Sequence, residues 1–188
     1  MKNTLAMVQA VVSQSLRNAT NPQVAAELAS ARIQALSRAQ DALTATDWSA
    51  AEVETIVASA IAPHSDRQDR FVVSGPSVEL MAQRSLGLAL AIHELATNSA
   101  KYGALSSQAG SVMIDWNVCG DGGFEFAWTE VGGPPVIEPT RRGFGSRLTE
   151  KVVPSYFEGR AKTTYTSAGI EYRLVGSVAP LHDQPAAN

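Results

Sequence analysis

The chain has 188 residues, 45% of them hydrophobic and 6% aromatic, which suits one compact domain with an appendage and leaves no room for a large multidomain enzyme. Fifteen basic and eighteen acidic residues give a net charge of −3, so no overall positive field exists to hold nucleic acid, although a local phosphate site remains open. Cys119 is the single cysteine, which excludes an intramolecular disulfide and any zinc site built from paired cysteines and fits a reducing, cytoplasmic compartment.

Taken in chain order, the sequence changes periodicity once. Over residues 3–17, Leu5, Val8, Val12 and Leu16 recur at spacings of three and four, which predicts an amphipathic helix. NATNP at 18–22 breaks it, and Pro22 suits the first turn of a second helix, so a helical hairpin is expected. In that second helix Ala29, Ile33, Leu36, Gln40 and Leu43 form one stripe and Val24, Leu28, Ala31 and Ala35 an adjoining one. The face is too wide for one partner helix, which points to further helices and to a homodimer. Asp47 is placed to cap a third helix over 49–62, ended by Pro63.

Beyond this point FVVS at 71–74 reads as a short strand and 78–102 as a long helix. Its apolar run LGLALAI at 86–92 is less than half a bilayer span, and the N-terminus has no signal-peptide pattern, so no membrane segment is expected. Val112, Ile114, Trp116 and Val118 then alternate with polar residues, CGDGG at 119–123 supplies a turn, and Phe124, Phe126 and Trp128 alternate again, which predicts an antiparallel hairpin. Strands at 161–166 and 170–175 meet at a turn around Ala168-Gly169 and close a sheet with helices on one face. Residues 178–188, with Pro180 and Pro185 and little apolar content, read as a disordered tail. The expected division is a helical hairpin at 1–46, an α+β domain at 47–177 and the tail.

The long helix contains ALAIHELATNSAKYGAL at 89–105, in which Glu94, Asn98 and Lys101 are spaced by four and three and project along one side, while Leu88, Ile92, Leu95 and Ser99 lie on another. A zinc-protease motif is excluded, because Thr97 stands where HExxH needs its second histidine. Asparagine is a poor helix former, but its carbonyl oxygen is a hard ligand suited to Mg²⁺, and Asn98 with Lys101 one turn on would suit a nucleoside triphosphate. From this segment alone an ordinary solvated polar face reads equally well. Two further segments bear on the choice. Gly143-Phe144-Gly145-Ser146 opens a helical pattern beginning at Arg147, so backbone amides there could hold phosphates. Trp128-Thr129-Glu130 ends a strand just before Gly132-Gly133, which would aim a carboxylate at the rim of the same cleft, where it could accept a hydrogen bond from an adenine amino group.

These motifs in this order resemble the HWE histidine kinases, a branch of the two-component sensor kinases with a GHKL-type (Bergerat) ATP-binding domain. His93 in HELATNSAKYG resembles the N-box histidine, Trp128-Thr129-Glu130 the Trp-x-Glu motif and GFGSRL at 143–148 the second glycine box. KNTLAMVQAVVSQSLR at 2–17 resembles the start of the dimerization and phosphotransfer helix. The resemblance implies a bundle-forming hairpin followed by an α/β sandwich with a mixed, largely antiparallel sheet. It also implies that Asn98 holds Mg²⁺, that Glu94 acts as base or polarising group for the phosphoacceptor with His93 supporting the N box, and that Lys101 contacts phosphates. Tyr102 would pack near the adenine and Glu130 would read it, in place of the aspartate of other GHKL proteins. Gly132, Gly133, Gly143, Phe144, Gly145, Ser146 and Arg147 would complete the ATP site. The implied cofactors are ATP and Mg²⁺, and the implied partners are a response-regulator receiver domain, a second copy of the chain and an upstream sensor domain.

In the family the phosphoacceptor lies in a His-Arg-x-Lys-Asn segment, whereas this chain starts Met1-Lys2-Asn3, with Met1 at the x position. The acceptor is therefore expected just ahead of the first residue, and His64, His93 and His182 are not substitutes. The expected function is the ATP-binding core of a histidine kinase. The alternatives are a non-catalytic adaptor that docks response regulators and a GHKL serine kinase, the latter opposed by the long hairpin and by Trp-x-Glu.

Overall fold

A computed structural model describes residues 7–9, 11–13, 15–16, 21–44, 50–138, 143–167 and 169–179. Alternation of apolar and polar side chains builds the main sheet. Strands β2 (Phe71–Ser74), β4 (Ser111–Val118), β5 (Gly123–Val131), β6 (Arg160–Thr166) and β7 (Gly169–Ser177) lie in the order β2-β4-β5-β7-β6, with β2 parallel to β4 and every other pair antiparallel. The register sets Ile114 opposite Trp128 and Trp116 opposite Phe126. One face of the sheet is therefore apolar and buried, contributed by Val112, Ile114 and Trp116, by Phe124, Phe126 and Trp128, and by Ile170, Tyr172 and Leu174. Burying each such large side chain is worth about 1.5–3 kcal/mol, which makes this face the base of the core. Trp128 meets Phe71 edge to face, with ring centroids 6.1 Å apart.

Helix α3 (Ala82–Tyr102) lies in the core, and every residue from 84 to 96 is buried. The sequence predicts one packed face and one polar face, but the far side of α3 is covered too, by α1 (Pro22–Thr44) and α2 (Val53–Ile61). A helix with neighbours all round can bury its whole circumference only if its polar groups find partners. The buried Arg84 finds them for two of its three nitrogens, donating from Nε to Tyr156 O and from Nη1 to Ala179 O, both at 3.0 Å, while Nη2 lies 4.0 Å from Glu158 Oε1. Val178 N–H donates to Gly122 O at 2.9 Å, so the chain is tied down beyond the end of β7, and residues 180–188 of the expected tail lie outside the described residues.

Two helix starts differ from expectation. Residues 50–52 and 79–81, predicted to open helices, instead form short strands β1 (Ala50–Glu52) and β3 (Glu79–Met81), which pair antiparallel. The Glu52 carboxylate accepts from Ser77 Oγ and from Val78 N–H, both at 3.0 Å, and Val53 N–H donates to Val78 O. These long-range bonds take the backbone and side-chain groups that a helical turn would have used. Helix α2 thus starts at Val53 and α3 at Ala82. The cap predicted at Asp47 lies outside the described residues, and the N-cap position of α2 is occupied by Glu52, whose side chain makes no capping bond. Helix α2 ends at Ile61, and a 3₁₀ segment (Ala62–Arg70) leads into β2.

Of the expected hairpin, residues 7–9, 11–13 and 15–16 are helical, and Leu5 lies outside the described residues. The inward stripe is Met7, Val11 and Ser15, displaced by one residue from the predicted Val8, Val12 and Leu16, of which the last is 62% exposed. On α1 the fully buried residues are Ala25, Arg32, Ala35, Leu36, Ala39 and Leu43, while Ile33 is 38% exposed. The alanines let α1 approach α3 closely. Leu36 and Leu43 are buried with them, while Val24, Leu28 and Ile33 are left at the margin.

His93 sits on the buried circumference of α3. Burial pulls its imidazole down from 6.5 to about 4, an effect that Glu94 opposes and that Arg38, His64 and Arg32 reinforce. The folded chain thus refuses a proton that the unfolded chain accepts below about pH 6.5. Stability from this group is complete above that pH and is lost as pH falls toward 4, by about 3 kcal/mol in all. We expect urea denaturation of His93→Gln to show a shallower loss of stability than wild type between pH 6.5 and 4; identical slopes would contradict the assignment.

Candidate nucleotide site

The far half of α3 leaves the core and borders a cavity of about 760 Å³. That volume is within the range of small-molecule sites, about 300–1,000 Å³. Glu94, Leu95, Asn98 and Tyr102 line it from α3, Gly103 from just past its end, and Glu130 from β5. Pro135, Val136 and Ile137 follow from the segment after β5, with Gly143, Gly145, Ser146 and Thr149 beyond them. Thr163, Tyr165 and Ile170 come from β6 and β7, and Arg32 comes from α1.

Helical geometry explains which residues between His93 and Tyr102 face the cavity. With about 100° per residue, Asn98 lies about 40° from Glu94, Tyr102 about 80° and Leu95 about 100°, all in one sense. Lys101 falls about 20° and His93 about 100° in the opposite sense. Accordingly Lys101 is exposed beside the cavity without lining it, and His93 faces the helical layer with its Nδ1 unpartnered among the described residues.

The Trp-x-Glu segment works by the two-residue repeat of a strand. Trp128 and Glu130 share the inward face of β5; the tryptophan fills the core and the glutamate stands where the core gives way to the cavity. Glu130 is 3% exposed. Its Oε2 accepts from Ala104 N–H at 3.1 Å and Ile170 N–H at 3.3 Å, while the buried Oε1 has no partner among the described residues. A buried acceptor left open is costly, about 1–3 kcal/mol, unless a ligand donor meets it. A side chain at Gly103 would put its Cβ 2.3 Å from Glu130 Oε2, so only glycine leaves the carboxylate in place.

The glycine segments divide. Gly145 passes against α3 so closely that a Cβ there would lie 2.8 Å from Glu94 Oε2, and Thr149 Oγ1 donates to Gly145 O at 3.0 Å. A helical run over 144–156 follows, containing a π-helical stretch at Leu148–Val152. Gly132 and Gly133 do not line the cavity; Gly132 adopts a positive φ of 72°, and Gly133 lets the chain cross Ala104. Arg147 is exposed and does not line it either, and of Phe144 the structure describes the backbone alone.

Sequence reasoning misses Arg32. Its Nε donates to Glu94 Oε1 at 2.6 Å and its Nη2 to Glu94 Oε2 at 2.9 Å, a bidentate pair in which both residues are buried. The available signal is an arginine four residues from both Leu28 and Leu36, at a position that belongs to neither of the two stripes read from the sequence. Thr149, Thr163, Tyr165 and the 135–137 segment are likewise unforeseen; strand order brings Thr163 and Tyr165 to the cavity, while Thr149 comes from the π-helical stretch and 135–137 from the segment after β5.

Residues 1–77 match the family model described as HWE histidine kinase. A blue-light-activated histidine kinase of Brucella anthropi is 40% identical over 184 residues, which cover 96% of this chain and 37% of that protein. Its counterpart in Brucella ovis is 38% identical over 183 residues, covering 95% of this chain and 37% of that protein. The chain thus spans 37% of the length of these relatives. Among solved structures, the histidine kinase domain of the Erythrobacter litoralis EL346 blue-light activated kinase superposes with a TM-score of 0.63 at 15% identity, covering 93% of this chain and 95% of that one. The mycobacterial sensor histidine kinase MprB superposes with a TM-score of 0.55 at 18% identity, covering 70% of this chain and 99% of that one. At such identities the likeness is one of fold, the α+β sandwich of GHKL histidine kinase catalytic domains. Together with the HWE histidine kinase match over residues 1–77 and an identity of 40% that runs along nearly the whole sequence, it makes this chain similar throughout to blue-light-activated histidine kinases.

Proposed function

We propose that this chain is the ATP-binding kinase core of a two-component histidine kinase and that the cavity beside α3 holds Mg²⁺-ATP. The observation that carries the reading is Glu130: two backbone donors fix one carboxylate oxygen, and the other is buried, unpartnered among the described residues and beside a cavity of ligand size. That acceptor suits the exocyclic amino group of adenine and opposes the carbonyl that guanine carries at the same position. At the other end, Asn98 offers an amide oxygen of the kind Mg²⁺ takes, beside Glu94 and Gly145.

When bound, ATP would supply the transferable γ-phosphoryl group and Mg²⁺ would neutralise its charge. The protein's part is positioning. Glu130 orients the base, Tyr102 and Ile137 flank it from the rim, and Gly143, Gly145 and Ser146 bring backbone close to the phosphates. Glu94 accepts a hydrogen bond from the acceptor imidazole and orients it. Lys101 and Arg147, at the margin, contribute through charge alone. His93, neutral at pH 7 and turned from the cavity, supports the N box through packing. Neither it nor His64 serves as phosphoacceptor in this reading.

We assign residues 1–46 to a dimerization and phosphotransfer hairpin, 47–177 to the catalytic domain and 178–188 to a tail. The partners in this reading are a second copy of the chain, docked through the open margin at Val8, Val12, Leu16 and Ile33, and a response-regulator receiver domain, with a sensor domain upstream in a longer protein. No helix among the described residues is long and apolar enough to cross a membrane, in keeping with a cytoplasmic kinase core.

Calorimetric titration with a nonhydrolysable ATP analogue is expected to give Mg²⁺-dependent heat that Asn98→Ala weakens at least about tenfold, the loss of one metal ligand or charge-assisted contact. No heat from wild type would overturn the reading. In competition assays Glu130→Gln should reduce the preference for ATP over GTP by about 10- to 100-fold, because the amide can present a donor to the guanine carbonyl. An unchanged preference would separate Glu130 from base recognition. Sedimentation should give a dimer that Ile33→Asp weakens; a wild-type monomer would contradict the assigned face.

A further inference from the structure

The contact between Arg32 and Glu94 joins parts of the chain 62 residues apart. Helix α1 belongs to the hairpin and α3 carries the N box, and both side chains line the cavity. Arg32 and Glu94 are each 6% exposed. The guanidinium uses its planar fork on both carboxylate oxygens and sends Nη1 to Ser15 Oγ at 2.9 Å. Ser15 is itself fully buried and donates to Val11 O at 2.7 Å, so the first helix of the hairpin is included in the same chain of bonds.

We propose that Arg32 is a positioning residue for Glu94, so that the hairpin aims the N-box carboxylate and Glu94 is oriented for its task only while α1 lies against α3. The proposal rests on the kinase reading above, in which Glu94 orients the acceptor imidazole. A buried ion pair is a poor way to gain stability, since desolvating both charges costs about as much as their attraction returns. What a bidentate arginine gives instead is geometry: two parallel bonds fix the plane and the rotation of the carboxylate, which a lysine point charge cannot do. An ionised carboxylate has about four acceptor positions. Arg32 fills two, and no other donor among the described residues takes the rest on the cavity that Glu94 lines. Because Arg32 is held in turn by Ser15, sliding or rotating the hairpin moves the fork and the carboxylate with it.

The proposal predicts a pattern across Arg32→Gln, Arg32→Lys, Ser15→Ala, Glu94→Gln and the double variant Arg32→Gln/Glu94→Gln, each assayed in the chain joined to its acceptor histidine. Arg32→Gln should slow single-turnover phosphoryl transfer by about 10- to 100-fold, the scale of a misplacement of about 1 Å, while analogue affinity by calorimetry stays within about threefold. Arg32→Lys, which keeps charge without the fork, should be nearly as slow, and Ser15→Ala should lie in between. The double variant should transfer no more slowly than Glu94→Gln alone, because Arg32 acts through Glu94. In thermal melts without nucleotide each charge-removing single variant should lose more than the double variant, since each takes from one buried charge its opposite charge in the bidentate pair. A double variant slower by the product of the two single effects, or an affinity that falls as far as the rate, would overturn the proposal and leave the nucleotide reading standing. A wild type that binds no analogue would remove both.

Discussion

The fold depends on burying α3 on every side and then releasing it. From residue 84 to residue 96 the helix has the sheet on one side and α1 and α2 on the other, a setting that tolerates few polar atoms without partners. At Glu94 the enclosure begins to open, and within two turns Asn98 and Tyr102 are exposed beside a cavity. The same rigid helix thus anchors the core with its first half and presents chemistry with its second. A site built on such an element is held more tightly than one built on loops.

The strand β5 repeats this logic in the other secondary structure. Its inward residues Phe124, Phe126 and Trp128 are buried in order, and Glu130 takes the next inward position. The spacing of Trp-x-Glu is thus a statement about pleat geometry: two residues move one step along a single face. Close backbone contacts at Gly103 and Gly145 bring the remaining walls against these two carboxylates. Glu130 and Glu94, both in the cavity lining, differ in how they are held. Backbone amides hold Glu130, and a side chain from α1 holds Glu94.

Much of this architecture is legible in the amino-acid sequence. The β4–β5 hairpin and the pair β6–β7 follow from alternation over enough residues to show it, and GFGS does open a helix. Glu94, Asn98, Tyr102, Glu130, Gly143, Gly145 and Ser146 do converge on one cavity. The failures have physical causes. Strands of three residues, such as Ala50–Glu52 and Glu79–Met81, are too short for a period to appear and exist because each pairs with the other. The stripe of the first helix shifts from Val8, Val12 and Leu16 to Met7, Val11 and Ser15, because small residues on α1 bring the helices together around Arg32. Arg32 itself escapes sequence reasoning, since a charge beside the two stripes reads as solvated until its partner 62 residues on is known. Lys101 shares a helix side with Glu94 by simple spacing, yet a turn of about 20° the wrong way takes it to the cavity's margin.

The central claim, a nucleotide oriented by Glu130 at one end and by the N box at the other, is tested most directly by a crystal structure with Mg²⁺ and a nonhydrolysable ATP analogue. The account predicts the adenine amino group within hydrogen-bond distance of Glu130 Oε1 and the cation on Asn98 Oδ1. An adenine bound elsewhere, or seated with Glu130 Oε1 still unpartnered, would contradict it.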